Sequence, residues 1–512
     1  MGVSQQRTPG EVFTLSQAQA IHRYGSSRTR TVTGLQAAIG SLSDAAVTLQ
    51  RVLEPRPAGF PPGPAGDAAL DLLRNPLDFL TRAVAAYGGI VGLSLGGQRV
   101  VLLTDLRVAH EVLIDKASIF VKEGTAFFPG SSLAGNGLLV SDGELWRRQR
   151  QLSNPAFRRA AVEAYAEAMG MATQQMLRNS WLQSRQRDIY ADFNALTLQI
   201  TTDALFGADL PPRQALEVTG AIETAFRFFA SRTGNVLALP EWVPTPDNLQ
   251  YSAAVARLDA AVYKIIANRR NLLASSQQTT ACLLDKLLTS QDEAGQGMAD
   301  QALRDELMTL LIAGQETSAI LLSWACAFLA HHPDIQQRAA EEVQQVLQGR
   351  LPTSSNIRGL RLMEAVVLEV LRLRPPAYLV GRCAAEPTIL GSYPIAAGTT
   401  VLVSAYIMHR DAQHWPRATN FVPDRWLEVI DGRPGGYMGL MSGMGHNGAY
   451  FPFGAGPRNC IGTGFAMMET LLILASILQK FQLLPVPGAR FPKPDARITL
   501  RPADVKLRVQ PR

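Results

Sequence analysis

Between about residue 106 and residue 374, apolar side chains recur at three- and four-residue spacing, the mark of amphipathic helices sharing one core. The pattern predicts helices over roughly 158–181, 187–206, 213–231, 252–273, 299–331, 333–347 and 360–373. Before them, the apolar runs Ile90–Leu95 and Val100–Leu103 flank Gly96-Gly97 and predict a β-hairpin. A second hairpin is predicted from Thr388–Ile395 and Thr399–Tyr406, turned at Ala396-Ala397-Gly398. An irregular Pro-, Gly- and aromatic-rich region follows over 410–462. Within it, the Gly- and Met-rich stretch Val429–Tyr450 reads as a surface loop. A helix over about 463–479 and short strands end the chain. No segment repeats at a fixed period. The expected class is α+β, mainly α: a single large helical domain with small β-sheets and no alternating βαβ units.

Phe60-Pro-Pro-Gly-Pro-Ala-Gly66 is a rigid punctuation mark, which divides the chain into an extension, 1–59, and a folded domain, 60–512. The extension is rich in Arg, Ser and Thr and has only Glu11, Asp44 and Glu54 as acids. That composition fits a transit peptide, hence a plastid, and equally a disordered basic tail on a cytoplasmic or peripheral membrane protein. The most apolar long window, Leu307–Ala330, is broken by Gln315 and Glu316, so no membrane span is expected.

Composition narrows the function classes. With 47% hydrophobic and 18% charged residues the 512-residue chain is globular, not disordered. A net charge of +6 without blocks of like charge argues against a nucleic-acid partner. Four cysteines with no CxxC pair are too few for a disulfide scaffold, so any important cysteine acts singly.

The strongest chemical signal is Phe453-Gly-Ala-Gly-Pro-Arg-Asn-Cys460-Ile-Gly462, followed by an apolar helix. Gly454, Gly456 and Gly462 let the backbone turn sharply and approach a flat object. The helix N-terminus and Arg458 are expected to lower the Cys460 thiol pKa. A stabilised thiolate suits a nucleophile or a soft metal ligand. A nucleophile would want a histidine base, and the loop has none; one thiolate on haem iron needs none.

Three further segments break local rules. Ala313-Gly314-Gln-Glu316-Thr317 puts a glycine and a polar pair inside an apolar helix. There Gly314 leaves room for a ligand, and Thr317 can bond back to the Ala313 carbonyl. Glu369 and Arg372 share one face of an apolar helix that Arg374-Pro-Pro376 ends. Trp146 and Arg150, also on one face, can present an indole N–H and a guanidinium to a carboxylate.

These four motifs, in their order along the chain, resemble the cytochrome P450 family over roughly residues 60–512. The resemblance implies the fold of that family, with haem b buried in the helical domain and Cys460 as axial thiolate. It implies Arg458, Trp146, Arg150 and Arg382 on the haem propionates, and Phe453 near the thiolate. Glu316 and Thr317 become an acid–alcohol pair that delivers protons to dioxygen, beside Ala313 and Gly314 at the haem face. Glu369, Arg372 and Arg425, in Phe421-Val-Pro-Asp-Arg-Trp426, become a structural network. The implied activity is monooxygenation of a hydrophobic substrate, with electrons from a ferredoxin or an NADPH reductase. Arg147, Arg148 and Arg458 would suit an acidic donor. The pocket would draw on Thr125–Leu139, Thr224–Asn235 and Ala377–Val380, with Phe127, Phe128, Phe226, Phe228, Phe229, Tyr378 and Leu379 as walls. The chain looks most like plastid carotenoid-ring hydroxylases and related fatty-acid hydroxylases, which suggests a carotenoid or comparable lipid. Two departures are Asp424, where many members carry Glu, and no hydrophobic anchor helix before the proline-rich segment. The alternatives are a haem-thiolate isomerase or dehydratase acting on lipid hydroperoxides, against which Glu316 and Thr317 argue, and a haem sensor, for which no signalling module is visible.

Overall fold

The computed structural model describes residues 57–125, 132–208, 210–232, 241–275, 282–291, 295–432, 440–441 and 443–512. Phe127, Phe128 and residues 1–56 of the N-terminal extension lie outside them.

The longer helices fall where the periodicity placed them, with three more that it did not bound. In chain order they are α1 (Pro76–Tyr87), α2 (Gly143–Ser153), α3 (Arg159–Met176), α4 (Ile189–Phe206), α5 (Pro212–Arg232) and α6 (Pro246–Ala274). Then come α7 (Leu283–Thr289), α8 (Asp300–His331), α9 (Pro333–Leu347), α10 (Arg361–Leu373) and α11 (Thr463–Lys480). Their ends follow side-chain chemistry. The Asp188 carboxylate accepts from Ala191 N at the start of α4, and Gly207 ends that helix at φ +59°. Thr245 caps α6 ahead of Pro246.

Helix α8 is the axis of the molecule. It is long and apolar enough to cross a membrane, yet 83% of its most apolar window is buried inside the fold. Its side chains are apolar nearly all round because α4, α6, α10 and α11 each pack against it. Helix α11 is likewise buried from Leu471 to Leu478.

The strands are β1 (Ile90–Leu95), β2 (Gln98–Leu103), β3 (Phe120–Val121), β4 (Gln186–Asp188), β5 (Val380–Ala384), β6 (Thr388–Leu390), β7 (Tyr393–Ile395) and β8 (Thr400–Val403). Near the C-terminus lie β9 (Phe481–Pro485), β10 (Pro494–Ala496), β11 (Leu500–Pro502) and β12 (Lys506–Pro511). The largest sheet runs β1-β2-β8-β5-β3, and a second runs β4-β12-β9. The first hairpin is as expected, with Leu95 opposite Gln98 across Gly96-Gly97.

The second predicted hairpin is replaced by another pairing. β6 pairs with β7, Leu390 opposite Tyr393, through a turn at Gly391 with φ +61°. β8 instead enters the large sheet, parallel to β2 (Val100 with Thr400) and antiparallel to β5 (Arg382 with Val401). Thr400-Val-Leu-Val403 is buried at every position, and a strand apolar on both faces belongs in a sheet interior rather than in a half-solvated hairpin.

The expected surface loop over Val429–Tyr450 is also corrected. Leu427–Asp431 is helical, and Leu440, Met441, Met444 and Tyr450 are buried. The Tyr450 hydroxyl donates to the Leu368 carbonyl at 2.9 Å. The methionines are apolar anchors that return the chain to the core. Gly445 permits the crossing: a Cβ there would stand 2.4 Å from Tyr450 O and 2.7 Å from Leu440 O.

Candidate active site

The Phe453–Gly462 loop is fixed before any side chain acts. Gly454 and Gly456 hold φ +74° and +69°. A Cβ at Gly456 would lie 2.0 Å from the Leu113 carbonyl oxygen, so the loop is pressed against backbone there. Cys460 N donates to Phe453 O at 2.8 Å, and Thr463 Oγ1 to Cys460 O at 3.0 Å, just where α11 begins.

Cys460 is exposed, whereas Cys282, Cys326 and Cys383 are buried. Yet desolvation is the largest influence on its thiol, so protein surrounds it while space remains at the sulfur. Both facts hold for a thiol on the wall of an internal hollow. The expected lowering of its pKa is not met by the protein alone. Burial pushes the thiol up, against the Gly462 N–H, Arg150 and Thr463.

Around this hollow, positive charge outnumbers negative. Arg458 has an 8% exposed side chain, donates to Ser141 O at 2.8 Å and lies 3.6 Å from the Asp142 carboxylate. Its guanidinium sits 4.5 Å from the Trp146 ring centre. Arg382 is buried and donates from Nη1 to Gly381 O, while its Nε has no hydrogen-bond partner among the described residues. Burial holds both arginines down to about 10, and each also feels another cation: Arg458 acts on Arg382, and Arg150 on Arg458. Lys122 is held well below its ordinary value by burial, then by Arg382 and Arg458, with Asp142 opposing. Sequence reasoning missed Lys122, because only the pairing of Val121 with Cys383 places it near Arg382.

Trp146 and Arg150 both meet the cysteine loop, but they divide the work. Trp146 underlies Arg458, whereas Arg150 donates to Asn459 O at 2.8 Å and Asn459 Oδ1 at 3.0 Å. Arg458, being almost enclosed, is removed from the outer surface on which an electron donor would dock. Arg147 is exposed there, paired with Glu144.

On α8, Ala313, Gly314 and Thr317 are half-open within an otherwise buried stretch. Thr317 Oγ1 donates to Ala313 O at 2.6 Å, as the sequence implied. Gly314 serves a packing need: a Cβ there would meet Thr201 Oγ1 of α4 at 3.2 Å. Gln315 also turns to α4, donating to Asn194 Oδ1 at 3.0 Å. Glu316 turns the same way. Its Oε1 accepts from Thr499 at 3.2 Å and from Tyr190 at 3.4 Å, and its Oε2 has no partner among the described residues. Burial raises its carboxyl to about 7.

The Glu369 network is assembled, with Glu369 and Arg372 wholly enclosed. Arg372 forks onto Glu369 with 2.8 Å on each arm, and Val422 N, Trp426 Nε1 and Arg425 Nε also donate to that carboxylate. The rest of the Arg372 fork goes to the carbonyls of His409, Ala418 and Asn420. Asp424 pairs instead with Arg338 of α9.

The aromatic walls are mostly engaged elsewhere. Phe228 stacks on Tyr251 at 4.0 Å, with Phe229 edge-on to both. Tyr378 is buried, donating to Arg497 O at 2.7 Å, and Leu379 packs against the cluster beneath the sheet. Phe226 lines a crevice behind Glu316.

The chemistry of this donor set fits haem. The hollow offers an open thiol, an orphaned arginine nitrogen and more cations than Asp142 can neutralise, which together match a soft metal in a ring bearing carboxylates.

Comparison with known proteins agrees. The family model described as Cytochrome P450 matches residues 57–509. Cyclooctatin synthase of Streptomyces melanosporofaciens is 35% identical, covering 87% of this chain and 93% of that protein. Cyclooctat-9-en-7-ol 5-monooxygenase of the same organism is 33% identical, over 85% and 91%. Protein LUTEIN DEFICIENT 5, chloroplastic, of Arabidopsis thaliana is 30% identical, over 84% and 73%. The crystal structure of a cytochrome P450DA mutant haem domain superposes with a TM-score of 0.76 at 26% identity, covering 89% of this chain and 98% of that one.

Proposed function

The chain belongs to the cytochrome P450 family, and from that premise we propose that it hydroxylates a large apolar alkene or alkenol at a haem held by Cys460. A haem cofactor, dioxygen, an organic substrate and an external electron donor come with membership of that family of monooxygenases. Bound haem supplies dioxygen activation and oxygen transfer to a C–H bond. The chain supplies the rest. Cys460 would hold the iron as its thiolate. Arg382, Arg458 and Lys122 would hold the propionates, whose charge adds to that of Asp142. Glu316 and Thr317 hold and pass the proton, and the apolar faces around Ala313 exclude water.

The observation that carries this reading is the open Cys460 thiol facing a surplus of buried cations. The acid–alcohol pair favours oxygen insertion over isomerisation. The names of the relatives, two of them bearing on cyclooctatin and one on lutein, support an apolar cyclic or polyene substrate. A carotenoid is one member of that class. A ferredoxin or flavin-domain donor would dock over the exposed Arg147 end of α2.

The test is a panel of terpene alcohols, carotenoids and fatty acids against the purified haem protein. Terpene alcohols or carotenoids are expected to shift the Soret spin-state band and to gain one isotopic oxygen from labelled dioxygen. Labelled product from fatty acids alone, or rearranged hydroperoxide made without a donor, overturns the reading.

A further inference from the structure

Helices α4 and α8 pack closely, and part of the seam between them is polar. Asn194, Thr197 and Thr201 are spaced by three and four residues, so they share one face of α4, and all three are buried. Against them α8 sets Gly314 and the buried Gln315. Gln315 Nε2 donates to Asn194 Oδ1 at 3.0 Å. Thr197 Oγ1 lies 2.8 Å from Gln315 O and 2.8 Å from Phe193 O of its own helix, with one proton to share between them. Thr201 Oγ1 lies against Gly314. Like Gln315 Oε1, it is buried without a hydrogen-bond partner among the described residues.

Such a seam is a poor way to stabilise two helices. Each unpaired oxygen keeps its desolvation cost, and valine or leucine at these places would bury apolar surface without one. What a polar seam adds is register. Its hydrogen bonds form at one rotation and one axial offset of the helices, whereas apolar side chains slide and repack. Register matters at this level of α8. Successive residues stand about 100° apart on a helix, so Gln315 lies about 200° round from Ala313. The seam therefore grips the side of α8 away from the half-open Ala313 and Thr317. A slip by one residue would turn that open face by about 100°.

We propose that Asn194, Thr197 and Gln315 are positioning residues, which fix the rotation of α8 on α4 and so the angle at which Ala313 and Thr317 are presented to haem. The proposal rests on the monooxygenase reading and adds to it residues on the far side of the helix.

The test uses the holoenzyme and reads two quantities. One is the denaturant midpoint. The other is the infrared stretch of carbon monoxide on ferrous haem, which responds to the polar groups nearest the ligand. Thr197→Val keeps the shape of the side chain and loses the hydroxyl. Asn194→Leu combined with Gln315→Leu removes both partners of a hydrogen bond, so neither is left orphaned. Both seam variants should keep or raise the midpoint and add a carbon monoxide band that the parent lacks. Thr197→Ser restores the hydroxyl and should show the parent's bands alone. Leu196 is buried on another face of α4, and Leu196→Ala should lower the midpoint without a new band. A new band confined to the seam variants sustains the proposal. Unchanged bands in both seam variants overturn it, whatever their stability, because a merely structural role moves the midpoint alone. A new band that Leu196→Ala shows equally also overturns it, since loosened packing would then be the cause. A parent without a thiolate-type carbon monoxide absorption overturns the haem-thiolate reading instead, and the proposal with it.

Discussion

The guanidinium of Arg458 lies 4.5 Å from the centre of the Trp146 ring, which locks the start of α2 to the loop that carries Cys460. A desolvated cation–π contact contributes about 2 kcal/mol. If Arg458 holds a propionate, its orientation depends on that ring. Trp146→Ala should therefore release haem to excess apomyoglobin roughly ten- to thirtyfold faster. Trp146→Phe should stay within a fewfold of the parent. Equal release rates for Trp146→Ala and the parent would show that the stack holds nothing.

Arg372 and Glu369 are both fully excluded from solvent, whereas Arg425 keeps 13% of its side chain exposed. Removing one partner of a buried pair leaves a charge uncompensated, at a cost of about 3–5 kcal/mol. Arg372→Ala also orphans three carbonyls, so little soluble haem protein is expected. Arg425→Ala should cost only about 1 kcal/mol, because Arg372, Val422 and Trp426 still serve Glu369. Denaturant midpoints of the two variants check the ranking. Equal losses would contradict it.

What the sequence disclosed depends on how local the cause is. Thr317 bonding to Ala313, or Arg372 forking onto Glu369, is settled within one helical turn, and spacing alone located both. The cysteine loop was legible because glycine at fixed positions leaves few backbone paths. Lys122 was not, since its place near Arg382 follows from β3 lying beside β5, a pairing between segments far apart in the chain. The second hairpin failed for the same reason: Thr400–Val403 prefers a place between two distant strands to its nearest neighbour. That Gly314 also makes room for Thr201 of α4 was not legible either, since the two lie over a hundred residues apart. The stacking of Phe228 on Tyr251 and the bond of Tyr378 to Arg497 were not legible, because a large apolar side chain suits a core and a pocket wall equally well.

Two acids outside the relay make stability depend on pH. Burial pushes Glu306 and Glu469 up to about 8, and neither Glu469 oxygen has a hydrogen bond of ordinary geometry to a described residue. The folded state keeps these protons where the unfolded chain has lost them. Unfolding then releases protons, and stability falls as pH rises from about 4.5 to about 8. At pH 7 each group costs roughly 3 kcal/mol relative to an uncharged equivalent. Glu469→Gln removes one titrating proton, so its stability should decline less steeply with pH and exceed the parent above neutrality. Urea unfolding at several pH values measures the slope. A slope identical to the parent's would mean that Glu469 is ionised in the fold.

Gly454 and Gly456 both occupy the left-handed region, yet they should tolerate alanine very differently. At Gly454 the nearest atom to an added Cβ is 3.9 Å away, so only the dihedral is strained, at about 1 kcal/mol. At Gly456 the Cβ would stand 2.0 Å from Leu113 O and 3.0 Å from its carbonyl carbon. Backbone cannot rotate aside as a long side chain can, so the loop itself must lift. Lifting it moves Cys460, four residues on, away from the hollow. Gly454→Ala should keep a thiolate-type carbon monoxide band and unfold slightly earlier. Gly456→Ala should lose that band and cost more than about 3 kcal/mol. If Gly456→Ala kept the band and matched Gly454→Ala in stability, Leu113 would not be what holds the loop in register.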